Sequence, residues 1–476
     1  MPRGAAGCTD PVPIHRRVPI VLPLHEWYRL TFNRGREVMQ NKLAGVGSLR
    51  AVQARLWQWA LLFLFASPLA STFVYASDDD ETFIASWTAA NKIASPFDAP
   101  PPTFSDVTLR QIVRVSVGGS RVRVWLTNEF GNAALHIGAA TIAPRNTGAA
   151  INAAKLRQLK FNGAASIVIP AGARVLSDPV QLETGKFSEL AISIHLPAAA
   201  TSPTSPVSYH VRALQTSFVA VGNQVNAVDL PAATTTTAWY YLSGVDVQRS
   251  NRLPVIAAFG DSITDGDQMA APNEPVDQNA RYTDFLAREL NTNNGGNGPT
   301  RAAVINLGIS GNQVTQTFIG ENAVGRFDTD VLTRTGVTHL VVLEGINDIG
   351  LPGLLTVIGI PTPSISSASI IAGLQQIAAQ ARAHDIVVIG GTLTPSGGSA
   401  LPGYSGPDVE AKRQAVNQWI RTSRAFDAVV DFDRVLRDPS DATRIQAALT
   451  ADGLHPNSEG YRLMAAELAR LLRRRL

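Results

Sequence analysis

The sequence predicts an α/β protein in which a three-layer α/β/α domain with a parallel central sheet is preceded by an all-β sandwich domain. Two observations predict this fold. Residues 83–247 alternate apolar and polar side chains in short segments broken by Pro, Gly and Asp, which is typical of antiparallel strands. From residue 251 onward, short continuous apolar runs alternate with amphipathic segments, as in a parallel sheet covered by helices on both faces.

The first half of the chain is predicted to be a β-sandwich that spans residues 77–250. In residues 108–131 the alternation continues on both sides of Gly118-Gly119, which predicts a hairpin with a tight turn. Short strands follow at 189–197 and 208–214, and no long segment with a helical period interrupts them.

The second half, residues 251–476, is predicted to form the parallel α/β domain. The apolar runs that predict its strands are 255–260, 302–308, 339–345, 385–391 and 428–432. The amphipathic segments that predict its helices are 281–290, 367–383, 409–422 and 458–472. In such sheets the ligand crevice lies beyond the carboxyl ends of the strands.

The N-terminal segment predicts export. Residues 1–38 show no clear structural pattern, whereas residues 39–76 read as a signal peptide in which three basic residues precede the apolar stretch 56–76. Val74 and Ala76 are small residues at the −3 and −1 positions of a cleavage site. An uncleaved membrane anchor is the alternative, but Pro68 and the small residues after it favour cleavage. We therefore expect a secreted or periplasmic protein that is not stably inserted in a membrane.

Charge and cysteine content exclude several classes of function. Residues 1–76 hold nine Lys or Arg and three Asp or Glu, so the whole-chain charge of +3 leaves about −3 for residues 77–476. The basic character belongs to the leader, and no nucleic-acid partner is expected. Cys8 is the single cysteine. The mature chain therefore has no disulfide, thiol nucleophile or cysteine metal site.

Polar clusters follow three of the predicted strands. They read GDSITDG at 260–266, NLGISGN at 306–312 and EGINDIG at 344–350, and a fourth cluster, DGLHPNSEG at 452–460, precedes the final helix. Because the carboxyl ends of parallel strands meet at one edge of a sheet, the first three clusters are expected to converge.

In the same order, the four clusters resemble the conserved blocks of the GDSL/SGNH hydrolase family. Ser262 lies in the nucleophile block, Gly311 in the glycine block, Asn347 in the asparagine block, and Asp452 with His455 in the D-x-x-H block. The resemblance covers nearly all of the second domain and implies an SGNH-type fold. The first domain resembles the β-sandwich that precedes the catalytic domain in one bacterial branch of the family.

The chemistry of acyl transfer explains why three of these residue types are needed. A serine hydroxyl is a poor nucleophile unless a base takes its proton, and His455 is the candidate base for Ser262. Asp452, three residues earlier, is suited to hold the imidazole in the correct tautomer and to stabilise the imidazolium.

The family resemblance assigns the oxyanion hole to the backbone N–H groups of Ser262 and Gly311 and to the side-chain amide of Asn347. A glycine at 311 also leaves room for an approaching acyl group. Other interpretations are that Asn347 and Asp348 cap a helix and that Gly311 is a turn glycine.

The remaining polar residues near these blocks carry no assigned role. Four histidines have no matching context and are expected to be structural or at the surface: His195, His210, His339 and His384. Three further residues lie near the expected site and have no role beyond orienting loops: Asp265, Asp267 and Asn312. Arg281 lies near the site only by family analogy.

The sequence therefore predicts a serine esterase that acts through an acyl-enzyme on short-chain acyl or aryl esters, with no metal or cofactor. One alternative is a polysaccharide O-deacetylase, with aromatic residues of the sandwich as a sugar platform: Trp87, Trp125, Trp239, Tyr240 and Tyr241. Others are a non-catalytic glycan-binding protein on the same scaffold, which the intact set of residues disfavours, and an acyltransferase. A small-molecule or carbohydrate ester is the expected partner, and the oligomeric state stays open.

Overall fold

The computed structural model describes residues 82–198, 200, 202, 204–268, 275–293 and 296–476. These residues belong to one compact unit. The predicted signal peptide and Cys8 lie outside the described ranges, so export stays a prediction. Within those ranges, no helix combines the length and the apolar character needed to cross a bilayer.

The N-terminal half is built from antiparallel strands. Two sheets form its body, with strand orders β1-β15-β3-β8, where β9 also pairs with β3, and β13-β12-β2-β10-β5-β6. Two small pairs, β4-β7 and β11-β14, complete it. The strand bounds are β1 Thr82–Thr88, β2 Val107–Arg114, β3 Gly119–Thr127, β4 Leu135–Ile137, β5 Ala139–Pro144, β6 Arg157–Gln158, β7 Ile167–Ile169, β8 Arg174–Leu176, β9 Val180–Thr184, β10 Glu189–Leu196, β11 Tyr209–His210, β12 Ser217–Val221, β13 Thr234–Thr236, β14 Trp239–Tyr240 and β15 Leu242–Arg249.

The hairpin predicted around Gly118-Gly119 is wrong. Strands β2 and β3 lie in different sheets, and the segment between them crosses from one sheet to the other. The two glycines serve close backbone packing, because a Cβ on Gly118 would lie 2.0 Å from the Thr184 carbonyl oxygen and one on Gly119 2.2 Å from that of Gln248. Alternation predicts strands on both sides of a turn, but it does not say which sheet each strand joins.

The C-terminal half is a parallel five-stranded sheet with helices on its faces. The strand order is β19-β16-β20-β21-β22, and all its pairings are parallel. The strand bounds are β16 Val255–Gly260, β17 Thr292–Asn293, β18 Gly296–Asn297, β19 Ala303–Gly308, β20 Val337–Leu343, β21 Val387–Gly391 and β22 Ala428–Val430. The helix bounds are α1 Ser262–Asp265, α2 Tyr282–Asn291, α3 Ala323–Phe327, α4 Ile346–Val357, α5 Ser367–Ala383, α6 Pro407–Thr422, α7 Phe432–Leu436 and α8 Ser458–Leu472.

Helix α4 has no counterpart among the helices predicted from sequence. It contains Gly350, Pro352 and Gly353, residues that lower helix propensity. The glycines are explained by packing, because a Cβ on Gly350 would lie 2.3 Å from the ring of Tyr404 and one on Gly353 2.7 Å from Gly403. The loop that carries Tyr404 therefore lies directly on this helix.

The sandwich packs against the edge strand of the parallel sheet. The Thr88 hydroxyl donates to the Asn306 carbonyl over 2.9 Å, and the backbone N–H of Val304 donates to the Ser116 hydroxyl over 3.1 Å. The Asn306 carbonyl and the Val304 N–H lie on the side of β19 that faces away from β16. On an uncovered edge strand these two backbone groups would have no partner in the sheet. The two halves therefore share a polar as well as an apolar interface.

The aromatic residues considered for a sugar platform belong to the interior. Trp87, Trp239, Tyr240 and Tyr241 are buried, and the rings of Trp87 and Trp239 meet edge to face at 4.8 Å. Trp125 is half-buried, and its indole N–H donates to Asp246. The platform interpretation is wrong because stacking on a sugar requires exposed ring faces.

Candidate active site

Ser262 lies where the first parallel strand turns into a helix. Strand β16 ends at Gly260, and α1 begins at Ser262 with the Asp261 carboxylate accepting from the N–H of Ile263 at 3.0 Å. Gly260 leaves room for the neighbouring strand β20, because a Cβ there would lie 2.2 Å from the Leu343 carbonyl oxygen. The turn brings the Ser262 side chain to the carboxyl edge of the sheet.

Ser262, His455 and Asp452 form a continuous chain of hydrogen bonds. Ser262 Oγ lies 2.9 Å from His455 Nε2, and His455 Nδ1 lies 2.6 Å from Asp452 Oδ2. The other carboxylate oxygen, Asp452 Oδ1, accepts from the backbone N–H of His455 at 2.8 Å. Since a carboxylate accepts and does not donate, the neutral imidazole carries its proton on Nδ1 and accepts the serine proton at Nε2.

The surroundings of His455 favour its protonated form. Burial by itself would lower the pKa of this imidazole, but the hydrogen bond to Asp452 and the nearby carboxylates of Asp267 and Asp261 outweigh burial and raise its pKa. The pKa of Asp452 moves in the opposite direction: burial would raise it, and the His455 hydrogen bond holds it below its usual range. The pair can therefore accept a proton on the ring while the carboxylate stays ionised.

Two backbone N–H groups are free at this edge. Among the described residues, neither the N–H of Ser262 nor that of Gly311 has a hydrogen-bond partner. Gly311 has a φ of 83°, and a Cβ there would lie 2.5 Å from the Ile319 side chain. Glycine is thus required both for the backbone conformation and for the space beside it.

Asn347 supplies a third donor. Its amide nitrogen donates to the Asn312 carbonyl at 2.9 Å, and its amide oxygen accepts from the Tyr404 hydroxyl at 2.6 Å. The orientation of the amide is fixed because the Asn312 carbonyl can only accept. The side chain does not cap α4, whose N-cap residue is Gly345. Its second amide hydrogen has no partner among the described residues.

Arg326 is a component of the site that the sequence analysis missed. This buried guanidinium donates to three strand-end and loop acceptors: the Gly260 carbonyl at 2.9 Å, the Leu307 carbonyl at 2.8 Å and the Asn312 side chain at 2.7 Å. Its charge is paired with Asp330 at 2.9 Å. Arg326 thereby ties the ends of β16 and β19 to the residue that holds Asn347. Nothing in the sequence around it signals this contact.

Two buried aspartates hold the loops beneath the donors. Asp348 accepts from the N–H of Val314 at 2.7 Å and of Thr315 at 3.1 Å, while burial raises its pKa to about 6. Asp265 accepts from the backbone N–H of Ser310 at 3.1 Å. Both carboxylates thus orient loops, which is the role that the sequence predicts for Asp265.

The histidines set aside by sequence have different surroundings. His384 is exposed, His339 contacts Thr338, and His195 pairs with Asp106 inside the sandwich. His210 reaches the site, since its Nε2 lies 3.0 Å from Asp265 Oδ1. Within the described ranges, no cluster of three or more His, Cys, Asp or Glu residues is placed to hold a metal ion.

One family model matches part of the C-terminal half of the chain. Residues 258–463 match the model of the GDSL-like Lipase/Acylhydrolase family. No curated protein matches the chain. Similar solved structures include a GDSL-like lipase from Bacteroides thetaiotaomicron, with 19% identity over 47% of this chain and 89% of that chain and a TM-score of 0.34. Two others, each covering 47% of this chain and 100% of their own, are the M. smegmatis aryl esterase, with 18% identity and a TM-score of 0.36, and a carbohydrate acetylesterase from Sinorhizobium meliloti, with 14% identity and a TM-score of 0.35.

Proposed function

We propose that the protein is a secreted serine esterase with Ser262 as its nucleophile, because residues 258–463 match the model of the GDSL-like Lipase/Acylhydrolase family. The observation that carries this proposal is the hydrogen-bond chain from Ser262 through His455 to Asp452, beside two unpaired backbone N–H groups. Secretion rests on the sequence of residues 39–76.

The first step is acylation. His455 Nε2 takes the hydroxyl proton as Ser262 Oγ attacks the ester carbonyl, and Asp452 stabilises the imidazolium that forms. The tetrahedral oxyanion receives hydrogen bonds from the N–H groups of Ser262 and Gly311 and from the free amide hydrogen of Asn347. The tetrahedral intermediate then collapses and breaks the bond to the alkoxide, which takes the proton from His455 and leaves as an alcohol. The acyl group stays bound to Ser262 Oγ.

Deacylation repeats these steps with water. His455 takes a proton from the attacking water, the same donors stabilise the second oxyanion, and the returned proton restores the Ser262 hydroxyl as the carboxylic acid leaves. The same side chains and backbone N–H groups serve both half-reactions, and water is the only additional reactant in the second.

The preferred substrates are esters with short acyl chains or aryl groups. Support comes from burial: Ser262 is 5% exposed and His455 4% exposed, so the approach to the nucleophile is narrow. Ile319 lies against Gly311 and narrows the space on that side. A polysaccharide O-deacetylase has less support, since the aromatic residues considered for sugar binding are largely buried.

Covalent trapping tests the nucleophile directly. The full chain should be treated with a fluorophosphonate and digested, and the mass increase should map to the peptide that contains Ser262. Parallel assays with p-nitrophenyl acetate, butyrate and octanoate should show rates that fall as the acyl chain lengthens. Label on another serine, or no hydrolysis of any ester, would contradict the proposal. Adding an alcohol acceptor and analysing the products separates hydrolysis from acyl transfer.

Removing the Asn347 side chain should lower kcat much more than removing the Tyr404 hydroxyl that orients it. We expect Asn347→Ala to lower kcat by about 10²–10³-fold, because one oxyanion donor is lost. Tyr404→Phe keeps that donor and removes the hydroxyl that orients it, so we expect a loss of about tenfold, the equivalent of one ordinary hydrogen bond. Steady-state kinetics on p-nitrophenyl acetate measure both. Equal losses in the two variants would argue against a donor role for Asn347.

The pH profile should report the raised pKa of His455. The base must be neutral to accept the serine proton, so activity is lost as pH falls through its pKa. Because that pKa is raised, the acid limb of kcat/KM should have its midpoint above the ordinary value of about 6.5. Asp452→Asn removes the largest raising contribution, and its midpoint should move to lower pH while kcat falls about 10⁴-fold. Asp385→Asn, at an exposed position, is the control and should leave the profile unchanged.

A further inference from the structure

We infer that the β-sandwich is part of the catalytic apparatus, with His210 acting through Asp265 as a positioning residue for the oxyanion hole. This inference rests on the proposed esterase function. From the sequence alone His210 is expected to be structural or at the surface, and the family model that matches the chain begins well after it.

Asp265 connects the two backbone donors of the site. It is the last residue of α1, the four-residue helix that begins with Ser262. Its Oδ2 accepts from both the backbone N–H and the hydroxyl of Ser310, at 3.1 and 2.8 Å. Ser310 immediately precedes Gly311, so the peptide unit that carries the Gly311 N–H adjoins these contacts. One buried carboxylate therefore fixes the helix of Ser262 relative to the loop of Gly311.

The remaining oxygen of this carboxylate is held from the sandwich. Asp265 Oδ1 lies 3.0 Å from His210 Nε2, and His210 Nδ1 lies 2.8 Å from the Ala90 carbonyl oxygen. Both ring nitrogens of His210 therefore face an oxygen atom, one from the Asp265 carboxylate and one from a backbone carbonyl. The ring bridges α1 and the main chain of the sandwich. Burial alone would raise the pKa of Asp265, but the contacts with His210, Arg281 and Ser310 outweigh burial and lower it.

Neighbouring groups hold the pair in place. The His210 ring packs on Trp239 with centroids 5.4 Å apart. Arg281 donates to the Asp265 carbonyl and, through Nη2, to the Ala213 carbonyl of the sandwich. His210 of β11 and Arg281 at the N-cap of α2 thus meet at Asp265, and the sandwich supplies the histidine that faces its carboxylate.

This arrangement matters most in the transition state. The two N–H groups must converge on one oxygen, and a misplacement of about 1 Å can cost about 10²-fold in rate. Ester binding in the ground state does not need that convergence. Loosening the His210 contact should therefore lower kcat and leave KM nearly unchanged.

Two amide substitutions separate the contacts of His210. The amide nitrogen of Gln can reach the position of Nε2, whereas that of Asn reaches the position of Nδ1. We expect His210→Asn, which loses the Asp265 contact, to lower kcat by about 10–10²-fold with little change in KM. His210→Gln, which keeps a donor to Asp265, should restore most of kcat. The matched control is His195→Asn, which breaks the contact at 3.1 Å to Asp106 elsewhere in the sandwich and should leave kcat unchanged.

The assays use the full chain, with kcat and KM for p-nitrophenyl acetate and melting temperature measured for every variant. Wild-type kcat in His210→Asn would overturn the inference, as would equal kcat losses in the Asn and Gln variants that follow their melting temperatures. If His210→Asn does not fold, Ser310→Ala tests the same carboxylate from the half-buried loop and should lower kcat several-fold at constant KM; unchanged kcat there would also overturn the inference. An inactive wild-type chain would instead refute the proposed function.

Discussion

Replacing Ser262 with Ala should lower kcat for ester hydrolysis by about 10⁴–10⁶-fold, and adding His455→Ala to it should cost almost nothing more. The reason is that the hydroxyl and the imidazole, 2.9 Å apart, act as one unit: without the nucleophile the base has no proton to take. Residual activity would come from the oxyanion donors and from substrate binding. Kinetics of the two single variants and the double variant on p-nitrophenyl acetate measure the effect.

Stability and a matched histidine provide the controls. Ser262→Ala removes one buried oxygen and should change the melting temperature little, so a lost activity cannot be assigned to unfolding. His384→Ala changes an exposed histidine and should retain wild-type kcat. Losses that add fully in the double variant would show that Ser262 and His455 act separately, and a fully active Ser262→Ala would exclude it as the nucleophile.

Replacing Arg326 with Lys should be the most damaging conservative change in the site. Lysine keeps the charge, but a single ammonium cannot match the planar guanidinium that contacts Gly260, Leu307 and Asn312. The loss also weakens the buried ion pair with Asp330. We expect the free energy of unfolding to fall by about 1–3 kcal/mol, because buried acceptors lose their donors. We expect kcat of the folded fraction to fall by about 10²-fold, because the loops of the proposed oxyanion donors lose their common anchor.

Urea unfolding and steady-state kinetics test the two parts of this prediction. The control is Arg382→Lys, whose pair with Asp427 lies at the surface and should contribute within about 1 kcal/mol. If Arg326→Lys keeps both the stability and the kcat of the wild type, the guanidinium contacts do not hold the site. A loss of stability with unchanged kcat would limit Arg326 to a structural role.

Sequence patterns predicted the parallel half well where the physical signal is local. The run 255–260 coincides with β16, and the amphipathic segments 367–383 and 458–472 coincide with α5 and α8. A fully buried parallel strand must be apolar throughout, and a helix against a sheet needs one apolar face, so both patterns can be read from consecutive residues. The four polar clusters could also be recognised, because each of them consists of consecutive residues.

The features that were predicted wrongly or not at all depend on contacts between residues far apart in the chain. Whether β2 and β3 pair cannot be read from alternation, and the glycines of α4 make sense only with Tyr404 packed on them. Arg326 and His210 contact partners that folding brings to them from other segments. Their sequence surroundings resemble those of ordinary structural residues, so a single sequence gives no signal that separates them from the rest.

The contact between the sandwich and β19 protects the edge of the parallel sheet. Hydroxyls of Thr88 and Ser116 occupy hydrogen-bonding positions that a foreign strand would otherwise use, so the sandwich blocks edge-to-edge association of the parallel sheet. A C-terminal half without this cover would offer these backbone groups to other chains, so the sandwich protects the parallel sheet against aggregation.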